Sequence, residues 1–272
     1  MDQKHIPDKK NIAAYALAGL SLFFHFKLSF SNVNSIIVLI ALPLFFFSTL
    51  GSLRARLALI GFLMFLWVNS FILLKDYFSY LVYGFHSVTY YTTILITISA
   101  VIFLFVSTDI EETASRFSEN TPVMLTAMLF ILIFLWKLMQ LITLPMLSYG
   151  ELLVDLDVEG LFPVKYPFLD SVLVVLSVFI SHTLMRKKAI GYILAPSVLI
   201  MITLINLYHV FSQVFISGMY KASNIYGVLL YYIFPLVATV LVIFFYFQPG
   251  RVLCEYFRVN IENKQKSNER DS

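Results

Sequence analysis

The chain has 272 residues, of which 60% are hydrophobic and 13% charged, with a formal net charge of +3 and a mean hydropathy of +0.85. A soluble domain carries about 25% charged residues, so this composition excludes a water-soluble globule. The basic residues lie in short joins and a tail, which excludes a nucleic-acid recognition module. The single cysteine, Cys254, excludes an intrachain disulfide and a cysteine metal cluster.

The N-terminal segment MDQKHIPDKKNIAAYALAGL has the basic head and apolar run of a signal peptide. The apolar run continues through SLFFHFKLSF to the polar SNVNS (31–35) without an A-x-A-like site, so it reads as an uncleaved first span. Further continuous apolar runs follow, each long enough to cross a hydrocarbon core of roughly 30 Å as a helix. The predicted spans are approximately 12–29, 35–51, 57–74, 88–106, 122–147, 169–185, 189–214 and 226–248. Barrel strands would be shorter and would alternate polar with apolar residues. The expected fold is therefore all-α: a polytopic transmembrane helix bundle of about eight spans. It forms a single domain over 1–248, with a polar cytoplasmic tail over 249–272.

The joins set the orientation. With the N-terminus inside, cytoplasmic segments hold Lys4, Lys9, Lys10, Arg54, Arg56, Arg116, Arg186, Lys187, Lys188, Arg251, Arg258, Lys264, Lys266 and Arg270. The opposite side holds only Lys27, Lys75, Lys165 and Lys221. This asymmetry predicts that both termini are cytoplasmic. The basic turns GSLRARL (51–57) and MRKKAIG (185–191) each join the second and third helix of a four-helix half. A parallel internal repeat or the orientation rule alone would produce them. The inner loop STDIEETASRFSENTP (107–122) is expected to start a short surface helix after Thr108 or Asp109. The outer loop 148–170 is acidic, with Glu151, Asp155, Asp157, Glu159 and Asp170 against Lys165.

Polar residues inside the runs are the candidates for function. Lys137 lies within the apolar stretch PVMLTAMLFILIFLWKLMQLITLPML, where a charge is costly and faces a bundle interior or a wet cavity. The structural alternative is a tilted helix whose lysine reaches the outer interface. Gln140 shares its face at i+3, and no span centre holds an Asp or Glu as partner. Asn206 and His209 form a second i, i+3 pair, and Asn69 a further candidate. Ser70, Ser177, Ser181 and His182 are also expected to be buried, most of them as interhelical hydrogen bonds. His25, His86 and His209 fall at one outer depth, with Asp76 and Asp170 near it, and are the only metal-site candidates; equal depth is not proximity, and no metal is expected. Pro43, Pro196 and Pro235 fall inside spans and can kink them. No phosphate loop, nucleophile elbow or HExxH occurs, and no cofactor is expected.

Three stretches carry a resemblance: 51–71, 107–122 and 162–200. They show a basic turn with Arg54 and Arg56; Asp109, Glu111, Arg116 and Phe117 in the inner loop; then Leu169, Asp170, Gly191, Tyr192, Leu194, Ala195 and Pro196. In these the chain resembles an uncharacterised family of prokaryotic multi-pass integral membrane proteins. The resemblance implies a multi-helix fold in a prokaryotic cytoplasmic membrane and carries over no reaction or functional residue. The function expected first is a small permease or channel-like transporter, with the lipid bilayer as its surroundings and a small molecule or ion as substrate. The alternatives are a membrane enzyme acting on lipid or a lipid-linked substrate, and a non-catalytic partner subunit.

Overall fold

A continuous apolar segment can satisfy its backbone without water by coiling, so that each amide bonds within the segment. The computed structural model describes residues 9–27, 32–81, 85–110, 123–148, 167–211 and 234–247. Among them the regular structure is entirely helical, with no strand. The helices are α1 (Lys9–Lys27), α2 (Asn32–Thr49), α3 (Leu53–Leu81), α4 (Phe85–Val106), α5 (Val123–Ser148), α6 (Pro167–Met185), α7 (Ala189–Phe211) and α8 (Phe234–Phe247). Each expected span overlaps one of these eight. Three stretches are long and apolar enough to cross a membrane: Leu53–Ser70, Val88–Val106 and Ala189–Tyr208. The expected surface helix over 111–122, most of the acidic outer loop (149–166), the junction 212–233 and the tail with Cys254 lie outside the described residues.

α3 continues to Leu81, beyond the expected end at 74. Lys75 and Asp76 were read as the edge of the lipid, but neither breaks a helix. The chain divides into two compact units. Unit 1 comprises Met1–Asp109, Pro196–Met201 and Ile243–Ser272; unit 2 comprises Ile110–Ala195 and Ile202–Val242.

In unit 1, α1 packs on α2 and α4, and α3 packs on α2 and α4, so the first four helices close a ring. α1 and α4 carry large apolar side chains on their exposed faces. On α1 the buried stripe is Ala14, Ala18, Ser21, Leu22 and His25, whereas Ile12, Leu20, Phe23 and Phe26 point outward. On α4, Thr93, Thr97, Ala100 and Leu104 are buried and Val88, Leu95, Ile102 and Val106 are exposed. On α1 and α4 small and hydroxylated side chains make up much of the buried stripe and large apolar ones face out, whereas α3 buries large ones, among them Leu57, Ile60, Leu63, Phe65 and Leu66. α3 is the more enclosed: 78% of its Leu53–Ser70 stretch is buried, against 33% of Val88–Val106.

The α2–α3 link is a Schellman turn. Ser52 N–H donates to Phe47 O (3.0 Å) and Gly51 N–H to Ser48 O (3.1 Å), with Gly51 at φ +96°. Ser52 then caps α3, its Oγ accepting from Ala55 N–H at 3.3 Å. The α6–α7 link closes the same way, Lys188 N–H to Thr183 O and Lys187 N–H to Leu184 O, each at 2.8 Å. Here a lysine, Lys187, takes the left-handed position, at φ 52°.

Gly61 on α3 meets the Pro196–Met201 turns of α7 backbone to backbone. A Cβ there would lie 2.6 Å from the Ser197 carbonyl oxygen and 2.8 Å from Ile200 Cβ. One turn earlier, Ser197 Oγ donates to Leu57 O at 3.0 Å, tying the two helices at the close approach.

Two outcomes follow for stability in detergent, read from thermal unfolding. Gly61→Ala forces the helices apart and should cost about 1–3 kcal/mol, with Gly61→Leu worse. Lys187→Gly relieves the left-handed strain and should raise stability by about 1 kcal/mol.

Candidate functional site

One end of unit 1 is organised by Arg56, in the first turns of α3. Its Nε and Nη2 donate to the Tyr15 hydroxyl oxygen of α1 at 2.9 and 2.6 Å. Nη2 also reaches Asn11 Oδ1 at 3.2 Å, and Nη1 reaches the Ser107 carbonyl just beyond α4 at 3.1 Å. Tyr15 passes its own proton to Ser48 O of α2 at 2.7 Å. One guanidinium thereby joins the first four helices. A cation near a helix N-terminus opposes the α3 dipole, and the carbonyl at the C-terminal end of α4 offsets this. Sequence reading took Arg54 and Arg56 as orientation charges in a basic turn; the structure buries Arg54 and half-buries Arg56.

Farther along, Thr97 of α4 donates its hydroxyl proton to Thr93 O at 2.7 Å. Its oxygen is then the acceptor for Ser21 Oγ–H at 2.7 Å and for His25 Nε2–H at 3.0 Å. A hydroxyl has one proton and two lone pairs, so this arithmetic places a proton on His25 Nε2. At the other end of the ring, the Tyr90 hydroxyl donates to the Ser70 carbonyl. Asn69, beside it in the chain, is buried and has interaction partners of its own.

In unit 2, α5 and α6 make the most extensive contact of any helix pair. Ser181 Oγ of α6 donates to Ala127 O of α5 at 3.2 Å. Lys137 extends the buried stripe of α5, following Thr126, Phe130 and Ile133 at helical spacing, and is half-buried and engaged. Ser177 on α6 is fully buried, and Thr203 on α7 has its Oγ1 buried; neither hydroxyl has a hydrogen-bond partner among the described residues.

No protein-family model, curated protein or solved structure matches the chain.

The candidate residues therefore stand on their own geometry. Asn69 belongs to unit 1; Lys137, Gln140, Asn206 and His209 belong to unit 2. Asn206 is half-buried, one turn beyond Thr203 on the same face of α7. The side chains of Gln140, His209, His86, Asp76 and Asp170 lie outside the described ones. Among the described residues no three His, Cys, Asp or Glu side chains group as metal ligands, and His25 is held by Thr97. One expectation is corrected: His182 is exposed, because α6 buries the stripe Leu173, Ser177, Ile180, Ser181 and Leu184, and position 182 points off it. Sequence reading missed the Arg56–Tyr15–Asn11 group, although Asn11 and Tyr15 at i, i+4 mark a polar patch on the face of α1.

Tyr15→Phe leaves two guanidinium N–H groups without their acceptor and should cost about 1–3 kcal/mol. Arg56→Lys should not be a conservative change, since an ammonium cannot reproduce the fork. In a double-mutant cycle on unfolding in detergent, the two changes should couple by about 0.5–3 kcal/mol.

Proposed function

We propose that the chain is an eight-span protein of a prokaryotic cytoplasmic membrane, with both termini cytoplasmic, working as a small permease or channel-like transporter. Its solute path runs along unit 2. The membrane setting is supported by the exposed faces of α1, α2 and α4, which are built of large apolar side chains that water would not tolerate as a continuous patch. The orientation is supported by the basic residues at the two Schellman turns, which the positive-inside rule assigns to the cytoplasm.

The observation that carries the transport reading is the polar content of unit 2. Among the described residues it holds two buried hydroxyls, those of Ser177 and Thr203, without a hydrogen-bond partner, together with a lysine continuing a buried stripe. Unit 1 has one such buried atom, Arg54 Nε, on a side chain that has other interactions. On α5, Lys137 is roughly 21 Å from Val123, deep in a span of helix geometry. The hydroxyls of Ser177 and Thr203 are polar capacity that the described fold does not use, and there a passing solute finds its contacts.

In proteoliposomes, Lys137→Met should lower solute flux by at least about tenfold, the loss of one charged hydrogen bond, with insertion and elution profile unchanged. Flux equal to wild type in that variant would remove Lys137 from the path. Cys254 should react with an impermeant thiol reagent only from the cytoplasmic side, and labelling from outside would overturn the orientation.

A further inference from the structure

The two Schellman links use their basic residues in opposite ways. At α2–α3, glycine fills the left-handed position, Arg54 is buried, and Arg56 commits its N–H groups to Tyr15, Asn11 and the Ser107 carbonyl. At α6–α7, Arg186, Lys187 and Lys188 are all exposed, and no hydrogen bond or ion pair ties their side chains to the described residues. Lys187 also holds the left-handed position, at φ 52°, which glycine would occupy without strain. The orientation rule accounts for cations at this link. It does not call for one at the position where a side chain is strained, and strain of this kind gathers at ligand-binding segments.

The face of α6 that ends at this cluster is apolar and uncovered. Val175, Phe179, His182 and Arg186 follow at spacings of four, three and four residues, so they lie along one side of the helix. Arg186 keeps that helical position, its N–H donating to His182 O at 3.1 Å. All four are exposed, Val175 by 69% and Phe179 by 45%. The buried stripe of Leu173, Ser177, Ile180, Ser181 and Leu184 is on the opposite side.

From the link inward, this face presents cations, then an imidazole roughly 6 Å deeper, then a phenyl ring and a valine. An anionic phospholipid has the same order of chemistry: a phosphate, then glycerol esters, then acyl chains. A free phosphate or an acidic peptide would match the cations and leave the imidazole and the apolar face without a counterpart.

We propose that the end of α6 binds one anionic phospholipid. Its phosphate lies among Arg186, Lys187 and Lys188, and the planar guanidinium can bond two of its oxygens. The His182 imidazole N–H donates to an ester carbonyl, and an acyl chain lies along Phe179 and Val175. Basic residues where a lipid-facing helix leaves the bilayer hold such headgroups. The site rests on the membrane reading above and not on the transport reading; the proposed orientation puts it in the inner leaflet.

The test is native mass spectrometry of the full chain in neutral detergent, titrated with dioleoyl phosphatidylglycerol or dioleoyl phosphatidylcholine. Phosphatidylglycerol should bind as a single adduct at a concentration at least about tenfold below that of phosphatidylcholine. Arg186→Gln and His182→Phe should each weaken that binding by about fivefold. Lys27→Gln, the same charge change at the exposed last residue of α1, should leave it unchanged. Lys187→Gly separates binding from folding, because it should unfold at a higher temperature and yet bind phosphatidylglycerol about fivefold more weakly. An excess of glycerol 3-phosphate should not displace the lipid.

Equal binding of the two lipids, unchanged binding in Arg186→Gln and Lys187→Gly, or displacement by glycerol 3-phosphate overturns the site while the membrane reading stands. A chain that stays soluble outside phosphatidylcholine vesicles after detergent removal overturns the membrane reading and the site together.

Discussion

A polar atom that an apolar helix bundle has removed from water needs a partner within the protein, and most local features of this chain follow from that requirement. It makes every regular segment described a helix. It sends threonine hydroxyls back to the carbonyl one turn earlier, as Thr93, Thr97, Thr108 and Thr183 all do. Both tight links close with the same pair of backbone bonds, which satisfy carbonyls that the last helical turn leaves without a partner. The common turn geometry of α2–α3 and α6–α7 needs no internal repeat to explain it.

The same requirement gives unit 1 its rigidity. Arg56 would be expensive as an isolated charge at a helix start, yet its donors are distributed over α1 and the end of α4, and through Tyr15 to α2. Removing any one acceptor leaves the others holding a less satisfied cation, so the cluster is cooperative in the sense that a double-mutant cycle measures. The Thr97 group acts similarly between α1 and α4 with neutral partners. Gly61 contributes by absence: with no Cβ, α3 and the middle of α7 approach closely enough for Ser197 to reach Leu57 O. Specific polar contacts and one missing side chain add to the apolar core of α3 in positioning these helices.

This explains what could be read from sequence alone. Helix positions were legible because continuous apolar length is itself the signal. The helix faces were much less so, because apolar residues surround the helices on all sides and leave a weak periodicity. His182 was placed inside on composition, whereas only the packed stripe of α6 shows that position 182 lies off it. Arg54 and Arg56 were taken as topology markers, which explains their location and not their burial. Asn206 and Lys137 were identifiable as polar residues in apolar runs. Thr203 was not singled out, since a threonine in a membrane helix ordinarily bonds its own backbone.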